Sequence, residues 1–528
     1  MYASLVKACV PATFNSLGLF GGEILSLETT LVSNYSASVS ASYRFTAPTI
    51  QLTNATFCNV TVSYTHPGQN DEIYVEAWLP TNNWNERFQA VGGGGWVAGR
   101  FYLSYVAMQG ALADGYATIT TDAGLGSAMD ASPWAQVSPG NVNLYNLQNL
   151  ASVSLNDEAI IGKQLVKSFY GHGPLYSYWS GCSQGGRQGM ILAQRYPDAY
   201  DGIAAGAPAF YWTEFVPSIT WPQQVLSMLG HYPYNCETDA LTAAAIKACD
   251  KLDQVEDGII SQPEECLARF DPFRLVGMPI NCTQTNGTVR IANAAAVLVN
   301  ETWHGPRAAD GTKLWHGLNP GADITGDAPT SYEPGVAATN CTGATCVGVS
   351  NILGQWTQLF VSKNPALDMS NITHEEWDNF FRSSSQQYGS LVGSADPDLR
   401  AFSQRGGKIL SFHGVQDNII PLGGSQQYYN AVASISPDIH DFYRLFEVPG
   451  LGHCFGGRSQ QPSGLFEQLV RWVENGKAPE TSPINVTDVT GSQVLGSRIL
   501  CPYPQQQQLI KGCTDVTAAN CWTCTRRQ

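Results

Sequence analysis

The sequence predicts an α/β fold, a mainly parallel sheet that presents a serine at the end of one strand and is interrupted by a long insertion before its last strands. Three observations predict it. Gly181, Cys182, Ser183, Gln184 and Gly185 form a Gly-x-Ser-x-Gly run directly after the strand-like stretch 175–180 (LYSYWS) and before a helical stretch at 187–196. Asp417 lies in the loop that follows a short apolar run at 408–413 (KILSFH). His453 follows the strand-like run 442–448 (FYRLFEV), inside the glycine-rich loop PGLGH. The chain order Ser, Asp, His is that of an α/β-hydrolase core.

Each element has a chemical reason. A strand, sharp turn and helix lift a serine hydroxyl clear of a parallel sheet, and the turn is crowded enough to need glycine on either side. Serine is a weak nucleophile at its free pKa. A histidine must take its proton, and a carboxylate must hold that histidine in one tautomer. Taken singly, an Asp in a strand-end loop is usually a turn residue and a His near glycine is usually a packing residue. The three in this order point to acyl transfer with Ser183 as nucleophile, Asp417 as orienting acid and His453 as base.

The tetrahedral oxyanion of acyl transfer needs two donors. The amide of Gln184 is one. The other is expected from the glycine run 92–95, which follows a strand-like stretch at 87–91, with Gly94 favoured; Trp96 directly after it is placed at the wall of the cleft. Cys182 precedes the serine and Cys454 follows the histidine, so a disulfide between them would tie the elbow to the histidine loop.

This Cys-Ser, Asp, His-Cys pattern resembles the tannase and feruloyl esterase family of secreted fungal hydrolases, to which a bacterial hydrolase of mono(2-hydroxyethyl) terephthalate is also similar. The resemblance runs over nearly the whole chain. It is carried by the glycines at 92–95, by GCSQGGRQG at 181–189, HGVQD at 413–417, GLGHC at 450–454 and WVENGKAP at 472–479. It implies a lid closing over the triad, a calcium loop, and hydrolysis of aromatic-acid esters. Feruloyl (hydroxycinnamoyl) esters are the first choice, from small-molecule or sugar-linked substrates. Galloyl esters, as for a tannase, are the close alternative, and an esterase or acyltransferase of secondary metabolism is a third. A catalytically dead binding protein ranks low, since all three triad candidates are present, whereas a serine peptidase shares the triad chemistry and stays as a less favoured alternative.

Length and composition agree with that reading. At 528 residues the chain exceeds what a plain core of this kind requires. The division read from the pattern is 1–209 for the first part of the core, 210–398 for the lid, and 399–528 for the second part of the core with a C-terminal tail. A lid excludes water and lines the pocket, so specificity is expected there. Trp212, Trp221, Trp303, Trp315, Trp356 and Trp377 all fall within it, most of them expected in its own core and one or two facing substrate.

Within the lid, the stretch CDKLDQVEDGII brings Asp250, Asp253 and Asp257 close together. Three carboxylates, with the main-chain carbonyls of Val255 and Ile259, offer hard oxygen ligands that suit calcium, although an acidic loop alone is more often simply solvated. The resemblance implies a structural calcium here, and the triad itself needs no cofactor. Cys249 and Cys266 bracket the loop as a plausible disulfide. Proximity and the resemblance suggest the remaining pairs: Cys9 with Cys58, Cys236 with Cys282, Cys341 with Cys346, Cys501 with Cys524 and Cys513 with Cys521, the last two pairs being exchangeable.

Fourteen cysteines and nine Asn-x-Ser/Thr sequons, at Asn34, Asn54, Asn59, Asn281, Asn286, Asn300, Asn340, Asn371 and Asn485, suit an extracellular glycoprotein. The N-terminus lacks the apolar core of a signal peptide and reads as a mature chain, with Met1 an added residue. Net charge is −15, from 43 acidic against 28 basic residues, which argues against nucleic acid or an anionic membrane as partner. No apolar run is long enough to span a bilayer. A monomer or homodimer is expected.

Overall fold

The computed structural model describes residues 2–331 and 334–526. A nine-stranded sheet forms its centre, built from β1 (Glu23–Val39), β2 (Ile50–Thr65), β3 (Ile73–Pro80), β4 (Arg87–Val91), β5 (Ala117–Thr121), β6 (Tyr176–Cys182), β7 (Gly202–Gly206), β8 (Lys408–Gly414) and β9 (Tyr443–Val448). Their order across the sheet is β1-β2-β3-β5-β4-β6-β7-β8-β9. The first three strands and β5 pair antiparallel, and from β5 to β9 every pairing is parallel.

The sequence explains the difference between the two halves. In β1 only Val39 is buried, and in β2 Val60 and Val62 are buried around the half-buried Thr61, so the antiparallel edge keeps contact with solvent. By contrast β5 and β7 are buried at every position, as parallel strands covered on both faces must be. Helices α2 (Val153–Tyr170), α3 (Gln184–Arg195) and α4 (Leu422–Ile435) pack on one face through Leu155, Ile191 and Val432. Helices α1 (Tyr102–Ala113) and α5 (Leu465–Asn475) cover the other through Met108, Leu112, Phe466 and Trp472. This is the three-layer core of an α/β-hydrolase.

Among its described residues, the segment 210–398 supplies no strand to this sheet. It leaves after β7 and returns before β8, and these two strands are hydrogen-bonded neighbours. Its roots therefore meet, with the Trp212 amide donating to the Gly393 carbonyl at 3.1 Å. Inside it the helices Trp212–Ile219, Asn235–Cys249, Asn293–His304 and His374–Val392 surround a core of their own. All six of its predicted tryptophans lie in that core, at most 6 % exposed, and none lines the large cavity described below. Trp96 joins the same core, fully buried, with Trp134, Trp212, Trp356 and Phe360 around it. The expectation that Trp96 walls the cleft is corrected: its ring turns away from the cavity to complete the floor on which the inserted segment sits.

All seven disulfides form with the expected pairing: Cys9–Cys58, Cys182–Cys454, Cys236–Cys282, Cys249–Cys266, Cys341–Cys346, Cys501–Cys524 and Cys513–Cys521. The two pairs left exchangeable are settled by the C-terminal hairpins, Ser482–Thr487 with Val494–Leu500 and Gln505–Leu509 with Trp522–Arg526. No helix among the described residues is long and apolar enough to cross a membrane.

Candidate active site

Ser183 occupies the turn between β6 and α3 with φ 62° and ψ −122°, a conformation that a non-glycine residue holds only when its surroundings enforce it. Those surroundings are close. The Ser183 amide donates to the Gly206 carbonyl at 2.9 Å, and the amide of Gly185 to the Gly93 carbonyl at 3.1 Å. A Cβ on Gly181 would stand 2.6 Å from the Gly185 backbone, which is why the pentapeptide begins with glycine.

Asp417 and His453 come together from the ends of β8 and β9. His453 Nδ1 donates to Asp417 Oδ2 at 2.9 Å, which leaves Nε2 as the basic nitrogen. The carboxylate is 2 % exposed. Burial works to raise its pKa, yet the neighbouring His453 and His413 outweigh it and hold the group well below the usual carboxylate range. Its Oδ1 also accepts the amides of Ile419 and Ile420, at 2.9 and 2.8 Å. Asp417 is thus a fixed anion.

Several supporting residues lie within the sequence motifs but take no role from sequence alone. His413, fully buried, sets Nε2 3.3 Å from Asp417 Oδ2 and 3.0 Å from the Ile420 carbonyl, with Ser425 Oγ at its Nδ1. Gln416 bridges the histidine loop and the inserted segment, accepting the Gly450 amide at 2.6 Å and donating to the Ile260 carbonyl at 2.8 Å. Gln188, one helical turn beyond the elbow, accepts the Gly93 amide and donates to the Ala98 carbonyl, both at 2.9 Å, and so pins the glycine run.

That run departs from expectation at one position. The amide of Gly94 is spent within its own turn, on the Val97 carbonyl at 3.1 Å, while Gly92 donates to Ser180 and Gly93 to Gln188. Gly94 is therefore not poised to receive an oxyanion. Gly95, at φ 55°, lines the cavity as the next residue of the run. The Gln184 amide opens α3, where the first-turn amides have no intrahelical acceptor.

Ser183, His453 and the glycines 92–95 line one cavity of about 610 Å³. Its walls are mainly aliphatic: Ile246, Ile259, Ile260, Ile352 and Leu353 from the inserted segment, and Leu103, Ala107 and Met129 from the core. The core also contributes Tyr43 to Ala47. The lining is thus shared between the core and the inserted segment. A polar edge includes Asp239, Asp323 and Asp327, and burial, reinforced by the two neighbouring carboxylates, pushes Asp239 up to about 7.

The acidic loop lies behind this cavity. Asp250 Oδ1 accepts the amides of Asp257 and Gly258, at 3.1 and 3.0 Å. Asp253 accepts the Ser261 hydroxyl and the Val255 amide. Arg498, from the C-terminal hairpin, pairs with Asp257 and stands 3.6 Å from Asp253. Among the described residues no three His, Cys, Asp or Glu side chains are gathered as a metal cluster. The donor chemistry is nonetheless that of a hard cation. Burial pushes Asp257 up to about 6 and Asp253 in the same direction, against the opposing pull of Arg498.

Comparison with known proteins gives this geometry a family. The model of the tannase and feruloyl esterase family matches residues 58–525. The chain belongs to that family. It is 39% identical to a probable feruloyl esterase of Arthroderma benhamiae, covering 91% of this chain and 88% of the relative. A tannase of Aspergillus oryzae is 29% identical over 95% of this chain and 90% of its own. Among solved structures, a tannin acyl hydrolase from Aspergillus niger superposes with a TM-score of 0.85 at 27% identity, covering 99% of this chain and 95% of the other. Membership makes the protein a carboxylic-ester hydrolase acting on small-molecule esters.

Proposed function

We propose that the chain is a secreted feruloyl esterase that works through an acyl-enzyme. The observation that supports it most is the position of Ser183 and His453, the latter backed by the buried Asp417, at one wall of a largely aliphatic cavity, suited to a methoxylated aromatic acid. Ser183 Oγ attacks the ester carbonyl carbon as its proton passes to His453 Nε2. The tetrahedral oxyanion is received by the amides of Gln184 and Gly95. Its collapse breaks the bond to the alcohol, which leaves with the proton from His453. Water then adds to the acyl-enzyme, gives its proton to His453, and the aromatic acid departs as Ser183 regains a hydrogen.

One observation favours the tannase reading: the polar edge at Asp239 and Asp327 could accept hydrogen bonds from a hydroxyl-rich ring. Turnover of methyl ferulate, caffeate, sinapate, gallate and chlorogenic acid, with one ester beside its amide, separates these readings. Hydroxycinnamoyl esters are expected to lead. A lead for gallate would make the protein a tannase, and comparable amide cleavage a peptidase.

Calcium is proposed as a structural ion held by Asp250, Asp253 and Asp257 with the carbonyls of Val255 and Ile259, whose oxygens are the hard ligands such a cation takes. An ion bound only by the folded form stabilises it. EGTA should lower the melting temperature by several degrees, reversibly, and Asp253→Ala should remove the response. An unchanged melting temperature, with no calcium in protein never exposed to chelator, would leave a loop neutralised by Arg498 alone.

As a secreted glycoprotein the chain should carry glycan where its sequons are accessible. Asn34, Asn54, Asn281, Asn286, Asn340 and Asn371 are exposed. Asn59 instead sits within the β2–β3 pairing and donates to Glu76 Oε1 at 3.1 Å. Glycopeptide mapping of protein from a eukaryotic secretory host is expected to find glycan at exposed sites and none at Asn59. Full occupancy at Asn59 would mean that this strand is modified before it pairs.

A further inference from the structure

Arg187 lies one helical turn beyond Ser183 and is completely buried. Among the described residues no carboxylate stands within 4 Å of it, and its hydrogen bonds all go to neutral acceptors. Nε donates to Gln184 Oε1 at 2.7 Å, Nη1 to the Ala151 carbonyl and Ser394 Oγ at 3.1 Å each, and Nη2 to the Leu150 carbonyl at 2.8 Å. The guanidinium carbon is 5.5 Å from the centre of the Trp212 ring.

These partners come from three places. Gln184 carries the amide that opens α3 beside the nucleophile. Leu150 and Ala151 end the helix Leu144–Ala151, whose C-terminal carbonyls favour a cation. Trp212 and Ser394 are the two roots of the inserted segment, one on each side of the contact between Trp212 and Gly393. The Gln184 side chain has no other hold, since its Nε2 finds no partner among the described residues.

A buried, unpaired cation is costly to retain, and neutral donors could satisfy the same carbonyls. The charge gains a purpose from its place. Helical side chains lean toward the N-terminus of their helix, so the guanidinium lies under the turn at which negative charge develops on the substrate oxygen. We propose that Arg187 is a positioning residue for ester hydrolysis. It holds Gln184, and with it the oxyanion donor, in register with both roots of the inserted segment, and its charge favours the tetrahedral state over the bound ester. The inference rests on the reading of Ser183 as nucleophile.

The experiment compares Arg187→Met, Arg187→Lys, Gln184→Met and the double variant Arg187→Met with Gln184→Met. The readouts are kcat, KM and affinity for a phenylboronic acid, which forms a tetrahedral adduct on the serine. Affinity for the product acid serves as the ground-state control. Arg187→Met is expected to lower kcat and boronate affinity together, on the order of 100-fold, with product affinity changed less than about threefold. Arg187→Lys should recover part of the loss. The double variant should be no worse than Arg187→Met, because Gln184 acts through the same contact. Folded Arg187→Met with kcat within about threefold of wild type would overturn the proposal, as would equal losses of boronate and product affinity. If Arg187→Met does not fold, undiminished boronate affinity in Gln184→Met overturns it instead. A wild-type protein that forms no boronate adduct would refute the nucleophile assignment itself.

Discussion

Ser183→Ala is expected to lose at least about four orders of magnitude in ester turnover while keeping its fold. The serine side chain does not cap α3, so its removal costs the helix no hydrogen bond, and the turn is held by backbone contacts to Gly206 and Gly93. Asp417→Asn should fall by a similar factor for another reason. An amide there could present a donor to His453 Nδ1 and favour the tautomer with its proton on Nε2, the nitrogen that must accept one. Steady-state kinetics on a single aromatic ester, with circular dichroism to confirm folding, checks both. Retention of more than about one per cent of wild-type turnover by Ser183→Ala would show that the nucleophile lies elsewhere.

Replacing Cys182 and Cys454 together by Ala is expected to have the second largest effect, in activity as well as stability. The bond joins residues 272 positions apart, and on the chain-entropy model a loop of that length is worth about 5 kcal/mol, an upper figure where the unfolded chain retains structure. Its local action is sharper. Cys182 is the residue before the serine, and Cys454, at φ 63°, is the residue after the histidine, with its sulfur 3.8 Å from His453 Nε2. Cutting the link frees the histidine loop from the elbow, and a displacement near 1 Å at reacting groups costs roughly 100-fold in rate. Turnover measured well below the new melting temperature separates the two effects. Unchanged kcat there would reduce the disulfide to a staple of the fold.

Much of this arrangement was legible because local sequence and global fold agree. The elbow strand expected at 175–180 forms as Tyr176–Cys182, and the later strands match to within a residue at each end. A glycine on each side of Ser183 could be read because crowding there is a local matter. The rest was not local. Nothing near Asp253 announces Arg498, which arrives from the C-terminal hairpin 245 residues later. The four glycines at 92–95 are equivalent in sequence, and only the bonds their amides make, to Ser180, Gln188 and Val97 for the first three, distinguish them. Trp96 looked like a cleft residue by adjacency, whereas the ring's orientation is decided by Trp212 and Trp356, which are far away along the chain.

The three disulfides of the inserted segment, Cys236–Cys282, Cys249–Cys266 and Cys341–Cys346, all close within it, and none crosses to the core. Because its roots emerge from adjacent strands, a replacement of different length would not disturb the register of any strand. An exchanged segment must still meet Trp96, Arg187 and Arg498, which contact it from outside, whereas Ser183, Asp417 and His453 all lie beyond its ends. Descendants of one ancestor could in this way diversify toward new esters in a few large steps, limited by those contacts and by the pocket residues that remain behind at Tyr43 to Ala47 and Met129.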